Sequence, residues 1–436
     1  MAIDRLPELL GLPYYNEPAT YLVFGNTTRA WEFKGWKPES MSWKTGCYIH
    51  AGLSDIQMNF TGPDVIRFFE SIAVNNFQTF SIGSMKHAVF CLENGLIACH
   101  NILQRNSEHE LRMFAAPPWP VHQAMRGKFR VEVQFPRCYL FQVAGPTSLR
   151  TLERATDESL CDIGFLRFRN ARIAGVSVEI GRIGMSGNLA YEVRGPLEDG
   201  PKVYDAIFHA GHDLGIERLG WRTYMVNHVE GGFPQLGWTF APAMLEDKDF
   251  ARAFSERLPP LQVTGSVDPS DLRARYRTIS EVGWQGLVRL NHDFVGRQAV
   301  EAELANPRRT VVTLRWNVDD VVDVFRSLFE KGEEYRTMDL PTTPTWKDGL
   351  IFHADHVQHG GRTVGYSGGT IYSYHFREML SMACLDIELA TVGTEVTVLW
   401  GNFGGRIKHV RAVVERFPYL TEERNDQVDT TRDRSS

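Results

Sequence analysis

The spacing of hydrophobic residues changes along the chain and predicts two regions of different architecture. In the first, short alternating runs typical of strands stand between segments with apolar residues at helical spacing, such as Val203, Ile207 and Leu214. From Thr310 onward nearly all apolar runs alternate, apart from one helical segment at 318–331. We therefore predict a region of strands and helices followed by a small antiparallel β-barrel.

Proline and polar segments set the expected boundaries of these regions. Residues 1–40 are rich in Pro, Tyr, Asn and Trp and show little periodicity, so we interpret them as an irregular arm. A helix that begins near Phe294 should end at Pro307, because proline cannot continue the helical hydrogen bonds. We predict a first domain over 41–307, a barrel domain over 308–422 and a disordered polar tail over 423–436.

The stretch 181–232 has the features of a site. A glycine-rich loop at 181–187 leads into a strand in which Glu192 stands among apolar neighbours. A carboxylate in such a place is costly unless something hydrogen-bonds it. A later helix carries three polar residues along one side, namely Tyr224, Asn227 and Glu230. Polar groups aligned beside a glycine-bounded loop predict a binding or catalytic site.

This stretch also resembles a known family. Its order of R-x-G-x-x-G-x-x-x-(Y/F)-E-(V/I), a helix and E-G-G resembles the folate-binding domain of the glycine-cleavage T-protein (aminomethyltransferase) superfamily. Further motifs in the family's order lie at 141–146, 281–284, 293–299, 365–370 and 393–396. Stretches at 316–320, 327–329, 372–374 and 398–401 resemble its tetrahydrofolate-dependent aryl O-demethylases of the vanillate/3-O-methylgallate and syringate type. The resemblance implies an α+β fold: a T-protein-like domain with mixed sheets and helices, then a C-terminal antiparallel β-barrel.

The resemblance also implies roles for individual residues. It assigns Glu192 to folate, and a buried carboxylate suits the adjacent N–H donors of a pterin. The alternative is a strand glutamate paired with Arg182 or Arg194. Tyr224 stands where T-proteins would show an arginine, and a tyrosine is a suitable acid for a departing phenolate, since both have a pKa near ~10. Its alternative is a core tyrosine. Tyr191, Glu230 and Trp284 complete the expected cofactor-binding set.

Two further candidates for catalysis are less specific. Asp55 lies where the superfamily's loop reaches the folate and substrate pocket, and a turn-stabilising aspartate is the alternative. His100 falls where T-proteins carry an acidic residue, and a histidine there is able to relay a proton. The alternative for His100 is a packed strand residue.

The implied function is transfer of a methyl group from an aromatic methyl ether to tetrahydrofolate, giving a catechol-type phenol and 5-methyltetrahydrofolate. Alternatives are a methylenedioxyphenyl, N-methyl or aminomethyl donor, or a folate-binding protein without turnover. The segment 114–119 has no arginine, where vanillate-type relatives are expected to hold a substrate carboxylate. We therefore expect neutral methoxyphenols of the lignin-derived type to be used at least as well as vanillate.

Composition excludes several other classes. The net charge of −6 argues against nucleic-acid binding, and six cysteines without a C-x-x-C pair are too sparse for a disulfide scaffold or zinc site. His353, His356 and His359 should lie in a hairpin and diverge, so we expect no metal. The first residues do not resemble a secretory signal, and no apolar run has the ~20 residues of a membrane span. We expect a cytoplasmic protein, with the oligomeric state left open.

Overall fold

The computed structural model describes residues 19–24, 27–51, 56–114, 117–254, 261–342 and 350–431. Their helices are α1 (Trp36–Thr45), α2 (Val65–Ile72), α3 (Trp119–Met125), α4 (Ser148–Thr156), α5 (Gly200–Ala210), α6 (Trp221–Gly231), α7 (Lys248–Phe254), α8 (Leu272–Arg275), α9 (Arg297–Ala305) and α10 (Val318–Arg326). Their strands are β1 (Thr20–Phe24), β2 (Thr27–Glu32), β3 (Cys47–His50), β4 (Gln57–Thr61), β5 (Ser84–Cys91), β6 (Ile97–Ser107), β7 (Glu110–Phe114), β8 (Glu132–Gln134), β9 (Cys138–Ala144), β10 (Phe168–Ile173), β11 (Val176–Gly181), β12 (Ala190–Pro196), β13 (Ile216–Arg218), β14 (Leu261–Thr264), β15 (Arg309–Trp316), β16 (Leu350–His359), β17 (Arg362–Ser373), β18 (Glu378–Asp386), β19 (Glu395–Trp400) and β20 (Lys408–Glu415).

Two sheets form the first domain. One has the strand order β10-β11-β12-β9-β3-β13 and is antiparallel except for the parallel pair β13–β3. The other is antiparallel with the order β5-β6-β7-β4-β8. Each sheet buries one apolar face against helices, α4 and α5 on the first and α2 and α3 on the second. The predicted mixture of sheets and helices is thereby confirmed.

The C-terminal region is a closed antiparallel barrel, as the alternating pattern predicts. Its six strands follow the order β16-β17-β18-β15-β20-β19, and a pairing of β19 with β16 closes the ring. The interior is filled by buried aliphatic residues together with Trp316 and Trp400. In addition, β14 pairs in parallel with β16, so a strand from before Pro307 belongs to the barrel's sheet.

The structure differs from the pattern-based expectations in three places. The arm over 1–40, expected to be irregular, contains the β1–β2 hairpin and the start of α1 at Trp36. Residues 276–282, which the sequence pattern predicts as a strand, instead contain a 3-10 turn, Ser280–Val282. The buried apolar residues Tyr276, Ile279 and Val282 are spaced three apart, which suits such a turn and not the alternation of a strand. The tail expected to be disordered from residue 423 is packed against the first domain through 431, and its Asn425, Val428 and Thr430 are buried.

Glu230, near the end of α6, joins the two domains. Its carboxylate accepts hydrogen bonds from Ser373 of β17 (2.5 Å) and from the Trp43 indole of α1 (3.2 Å). The Lys44 ammonium lies 3.3 Å from the same carboxylate, and both side chains are at most 3% exposed. The ion pair joins α1 to α6, and the Ser373 hydrogen bond joins α6 to the barrel. The net contribution of a buried ion pair to stability need not be large.

We predict that Glu230→Ala lowers the free energy of unfolding by about 3–5 kcal/mol, because the Lys44 ammonium is left in the interior without its closest partner. Glu422→Ala is the matched control. Glu422 is the other carboxylate near Lys44, at 3.5 Å, but its side chain is 43% exposed, so its removal should cost about 0–1 kcal/mol. Urea denaturation of both variants measures the difference, and equal losses would contradict a structural role for Glu230.

Candidate functional site

Three polar side chains form a row across the first sheet. His50 of β3 is the register partner of Gln142 on β9, and Gln142 is in turn the partner of Glu192 on β12. Register partners project from the same face of a sheet, so the three side chains lie side by side. The Gln142 side-chain amide donates to Glu192 Oε1 over 3.1 Å.

Tyr224, from the first half of α6, lies over this row. Its ring stacks on His50 with centroids 4.0 Å apart and planes 11° apart. Its hydroxyl donates to Gln142 Oε1 over 2.7 Å. The Gln142 amide therefore connects Tyr224 to Glu192, with its oxygen facing the phenol and its nitrogen facing the carboxylate. Burial raises the pKa of Tyr224 well above its ordinary value, so the phenol keeps its proton at neutral pH.

Arg194 balances the charge of Glu192. Two positions further along β12, its guanidinium contacts the second oxygen of the Glu192 carboxylate and donates to Gln104 Oε1 over 2.5 Å. Glu179 lies 3.6 Å away, and the cation stacks on the Phe114 ring at 4.2 Å. The ion pair with Arg194, which was the structural alternative for Glu192, is thus present, whereas Arg182 contacts the C-terminal tail.

A series of aromatic rings continues from Tyr224. Its members, with centroid separations from the preceding ring, are His228 (4.6 Å from Tyr224), Phe233 (6.1 Å), His100 (5.8 Å) and Trp284 (4.7 Å). His87 adjoins it, since its Nε2 lies 3.1 Å from His100 Nδ1 and its ring 4.7 Å from Trp284. Together with Tyr224 these residues form what we call the aromatic wall: Tyr224, His228, Phe233, His100, Trp284 and His87. It connects α6 with the second sheet.

The histidines around the site are neutral. Burial lowers the pKa of His50 to about 3 and the pKa values of His87 and His228 to about 4, and it lowers the pKa of His100 well below the ordinary range. The Nδ1 of His50 lies 2.9 Å from the Leu219 carbonyl, so that nitrogen carries the hydrogen and Nε2 is an acceptor. Within the described ranges, the buried Nε2 atoms of His50 and His100 have no hydrogen-bond partner.

The expected site residues separate into two groups. Glu192, Tyr224, His100 and Trp284 adjoin the row or the aromatic wall. Tyr191 points to the other face of β12, into the core beneath the first sheet, and Glu230 lies in the network between the domains. Asp55 lies outside the described residues. The roles of all these residues in binding and catalysis stay predictions.

Several residues near the site were not singled out from the sequence. His228 could have been found, since it follows Tyr224 by one helical turn. Gln142 lies within the motif at 141–146, but the motif alone assigns it no role. His50 and His87 carry no local signal, because only the pairing of distant strands brings them to the site.

The polar groups of the site fit a pterin. The row offers a carboxylate and an amide, and buried atoms without a partner among the described residues lie nearby: His50 Nε2, His100 Nε2 and Asn227 Oδ1. Such a mixture of donors and acceptors suits a flat heterocycle with polar edges. No group of three potential metal ligands occurs in the described ranges.

Comparisons with known proteins identify relatives of this chain. Residues 14–243 match the family model described as the GCVT N-terminal domain. The chain is 36% identical over 418 residues to the sesamin methylene transferase of Sinomonas sp. (strain No.22), covering 91% of this chain and 92% of that protein. The chain belongs to the T-protein family. It is also 28% identical to the syringate O-demethylase of Sphingobium sp. (strain NBRC 103272 / SYK-6), covering 92% of each.

The fold of this T-protein family member also has a solved counterpart. The glycine cleavage system aminomethyltransferase T from Bartonella henselae superposes with a TM-score of 0.65 at 14% identity, covering 95% of this chain and 96% of that one. The superposition confirms the T-protein-like fold. The family match and the relatives above confirm the family, the enzyme class of folate-dependent methyltransferase and the use of tetrahydrofolate. In the part of the chain that the structure covers, no helix is long and apolar enough to cross a membrane.

We predict that stability falls as pH decreases from 7 to 5. His50 and His228 have pKa values of about 3 and 4 in the folded protein but about 6.5 when unfolded, so between these values only the unfolded chain takes up their protons. Each histidine should lower the free energy of unfolding by about 2 kcal/mol at pH 5. Replacement His50→Phe should remove its share of the pH dependence in urea denaturation, and His212→Gln, at an exposed position, is the control. If the free energy of unfolding of His50→Phe depends on pH as steeply as that of the unchanged protein, His50 is not held neutral in the folded state.

Proposed function

We propose that this protein is a tetrahydrofolate-dependent O-demethylase that moves the methyl group of a neutral, lignin-derived aromatic methyl ether to tetrahydrofolate. The products would be a catechol-type phenol and 5-methyltetrahydrofolate. The observation that carries the proposal is the connection of Tyr224, through Gln142, to Glu192. It joins a protonated phenol to the carboxylate expected to hold the folate. We place the enzyme in the cytoplasm, where reduced folates circulate.

The row across the first sheet would hold the pterin. Glu192 is the acceptor for its N–H groups, and Gln142 offers both a donor and an acceptor. When bound, tetrahydrofolate supplies the nitrogen that accepts the carbon. Arg194 keeps a positive charge beside Glu192, which compensates the charge of the carboxylate in its interior position.

Tyr224 would give its proton to the departing phenolate. Its raised pKa means that the proton is present at neutral pH, which an acid requires. In the structure the hydroxyl is directed at the Gln142 oxygen, so the O–H bond must rotate toward the substrate before transfer. Stacking on His50 holds the ring while this rotation takes place.

The aromatic wall favours a neutral aryl ligand. Its histidines are uncharged, and the Arg194 cation is already paired with Glu192. Of the other candidates for binding a carboxylate, Arg112 is bound to Glu110 at 2.6 Å, and Arg126 is exposed beside Gln123. A benzoate bound against the aromatic wall would therefore have to lose its hydration while Arg112 and Arg194 are already paired with glutamates.

A second candidate substrate is a methylenedioxyphenyl ring. The specific observation in its favour is the 36% identity to a sesamin methylene transferase, against 28% to a syringate O-demethylase. The methyl ether releases one aryl oxygen and the methylenedioxy ring releases two, so both donors need an acid at a departing oxygen. They differ in the folate product, because a methylene group arrives one oxidation level higher than a methyl group.

The test is to incubate the protein with tetrahydrofolate and a panel of aryl ethers, and to identify the folate product by mass. Guaiacol, vanillate and a methylenedioxybenzene form the panel, with Glu192→Gln as the variant expected to lose folate binding. We expect 5-methyltetrahydrofolate from guaiacol, and kcat/KM for guaiacol at least equal to that for vanillate. Methylene-tetrahydrofolate from the methylenedioxy compound alone would select the second candidate. Folate binding without any product would leave a non-catalytic protein.

We predict that Tyr224→Phe retains folate affinity but lowers turnover by about 10²-fold or more, because only the acidic hydroxyl is removed. The loss should shrink for ethers with electron-withdrawing substituents, since their phenolates leave with less help. Steady-state rates across such a series, with titration calorimetry for folate, measure both effects. His228→Phe, which keeps an aromatic ring beside Tyr224, is the comparison variant. The same loss for every substrate would mean that Tyr224 positions the ring and does not deliver the proton.

A further inference from the structure

After the last barrel strand the chain returns to the first domain. Leu420 donates its backbone N–H to the Glu230 carbonyl (2.8 Å), and Arg424 donates to the Gly231 carbonyl (3.0 Å), so this segment is fixed to the C-terminal end of α6. Residues 424–430 then run along the loop 182–190 that precedes Glu192. We call residues 424–430 the strap.

Arg182, the first residue of that loop and only 4% exposed, binds the strap at several points. Its guanidinium donates to the carbonyls of Asn425 and Val428 (2.7 Å for Val428), to Asn425 Oδ1 (3.2 Å) and to Thr430 Oγ1 (3.4 Å). A planar fork of donors suits several oxygens at once, which a lysine ammonium would not reproduce. This set of bonds explains why polar composition is a poor guide to order here.

Asn425 connects the strap with the far end of the same loop. Its backbone N–H donates to the Gly187 carbonyl (3.0 Å), and its side-chain amide donates to the Ala190 carbonyl (3.2 Å), two residues before Glu192. The Asn425 side chain thus binds Arg182 through its oxygen and Ala190 through its nitrogen. Both ends of the loop are held by one residue of the tail.

The loop itself contacts the site. Met185 Sδ lies 3.2 Å from His228 Nε2, next to Tyr224 in the aromatic wall. Gly187 and Gly231 approach so closely that a Cβ on Gly231 would lie 2.7 Å from the Ser186 backbone. A shift of the loop would therefore change both the position of Glu192 and the packing against α6.

We propose that the strap is a part of the folate site, and that Arg182 and Asn425 are positioning residues that hold the loop 182–190, and with it Glu192, in the geometry that binds folate. The proposal rests on the proposed function in taking Glu192 as the folate ligand. Apart from a bond from the Thr430 hydroxyl to the Cys161 carbonyl (3.0 Å), the bonds of the strap end on the loop and on the last residues of α6, two turns away from Tyr224. Loss of the strap should therefore affect folate binding more than the proton transfer.

The first test compares a chain ending at Glu423 with one ending at Thr431, which keeps the strap. Anaerobic calorimetry should show tetrahydrofolate binding weakened by about tenfold or more in the shorter chain, from the loss of several hydrogen bonds to the loop. The chain ending at Thr431 should match the full chain. Adding a synthetic peptide of residues 424–436 should restore affinity. Hydrogen exchange of residues 182–190 should rise in the shorter chain and fall again with the peptide.

Point variants keep the proposal testable if the shorter chain does not fold. Asn425→Ala removes the side-chain bonds to Arg182 and Ala190, and Asp426→Ala, at an exposed neighbouring position, is the control. We expect Asn425→Ala, and to a smaller degree Arg182→Lys, to raise the KM for folate while kcat and the KM for the aryl ether change little. Equal losses in all three constants, in proportion to a lower Tm, would overturn the proposal. If the full chain binds no folate while exchange of the loop still responds to the strap, the proposed function fails and the structural role of the strap survives.

Discussion

A carboxylate that leaves water must be given hydrogen-bond donors or a cation, and two glutamates impose this condition on much of the molecule. Glu230 meets it with groups from α1 and the barrel, so that satisfying one side chain joins the two domains. Glu192 meets it with Gln142 and Arg194, which place an amide and a guanidinium in the site. The same requirement therefore serves cohesion in one place and, under the proposed function, folate recognition in the other.

The aromatic wall beside Glu192 is uncharged, and this affects the chemistry. Four histidines remain neutral because burial disfavours their cations, and aromatic rings exclude water between them. Hydrogen bonds are stronger in such a medium, and a phenol such as Tyr224 holds its proton until a stronger base forms beside it. A phenolate that leaves an ether in the same buried medium has its own basicity raised by the same loss of solvation, so it is a base of that kind. A neutral wall thus suits an uncharged aryl ether.

The sequence predicted local elements well and spatial neighbourhoods only in part. The strand with Glu192, the helix with Tyr224 and the barrel follow from spacing and motif order, because both are written in adjacent residues. The row from His50 to Glu192 depends on register between strands that are distant along the chain, which no local pattern specifies. Tyr191 illustrates a different limit, since alternation along β12 sends it to the opposite face from Glu192. The strap was missed because its order comes from Arg182 and not from its own composition.

The tyrosine at position 224 is consistent with the charge balance of the site as well as with the leaving group. T-proteins are expected to carry an arginine there, and a buried arginine requires an anion of its own. In this chain Glu192 is the carboxylate of the row, and Arg194 already neutralises it from two positions along the same strand. A second guanidinium beside neutral Gln142 and His50 would be buried without compensation. A neutral residue able to donate one hydrogen bond to Gln142 resolves this, and tyrosine does so while placing a dissociable proton next to the expected substrate. On this argument the residues at positions 194 and 224 are coupled. Replacing Tyr224 by arginine, or removing the charge of Arg194, should each lower the free energy of unfolding more than both changes made together.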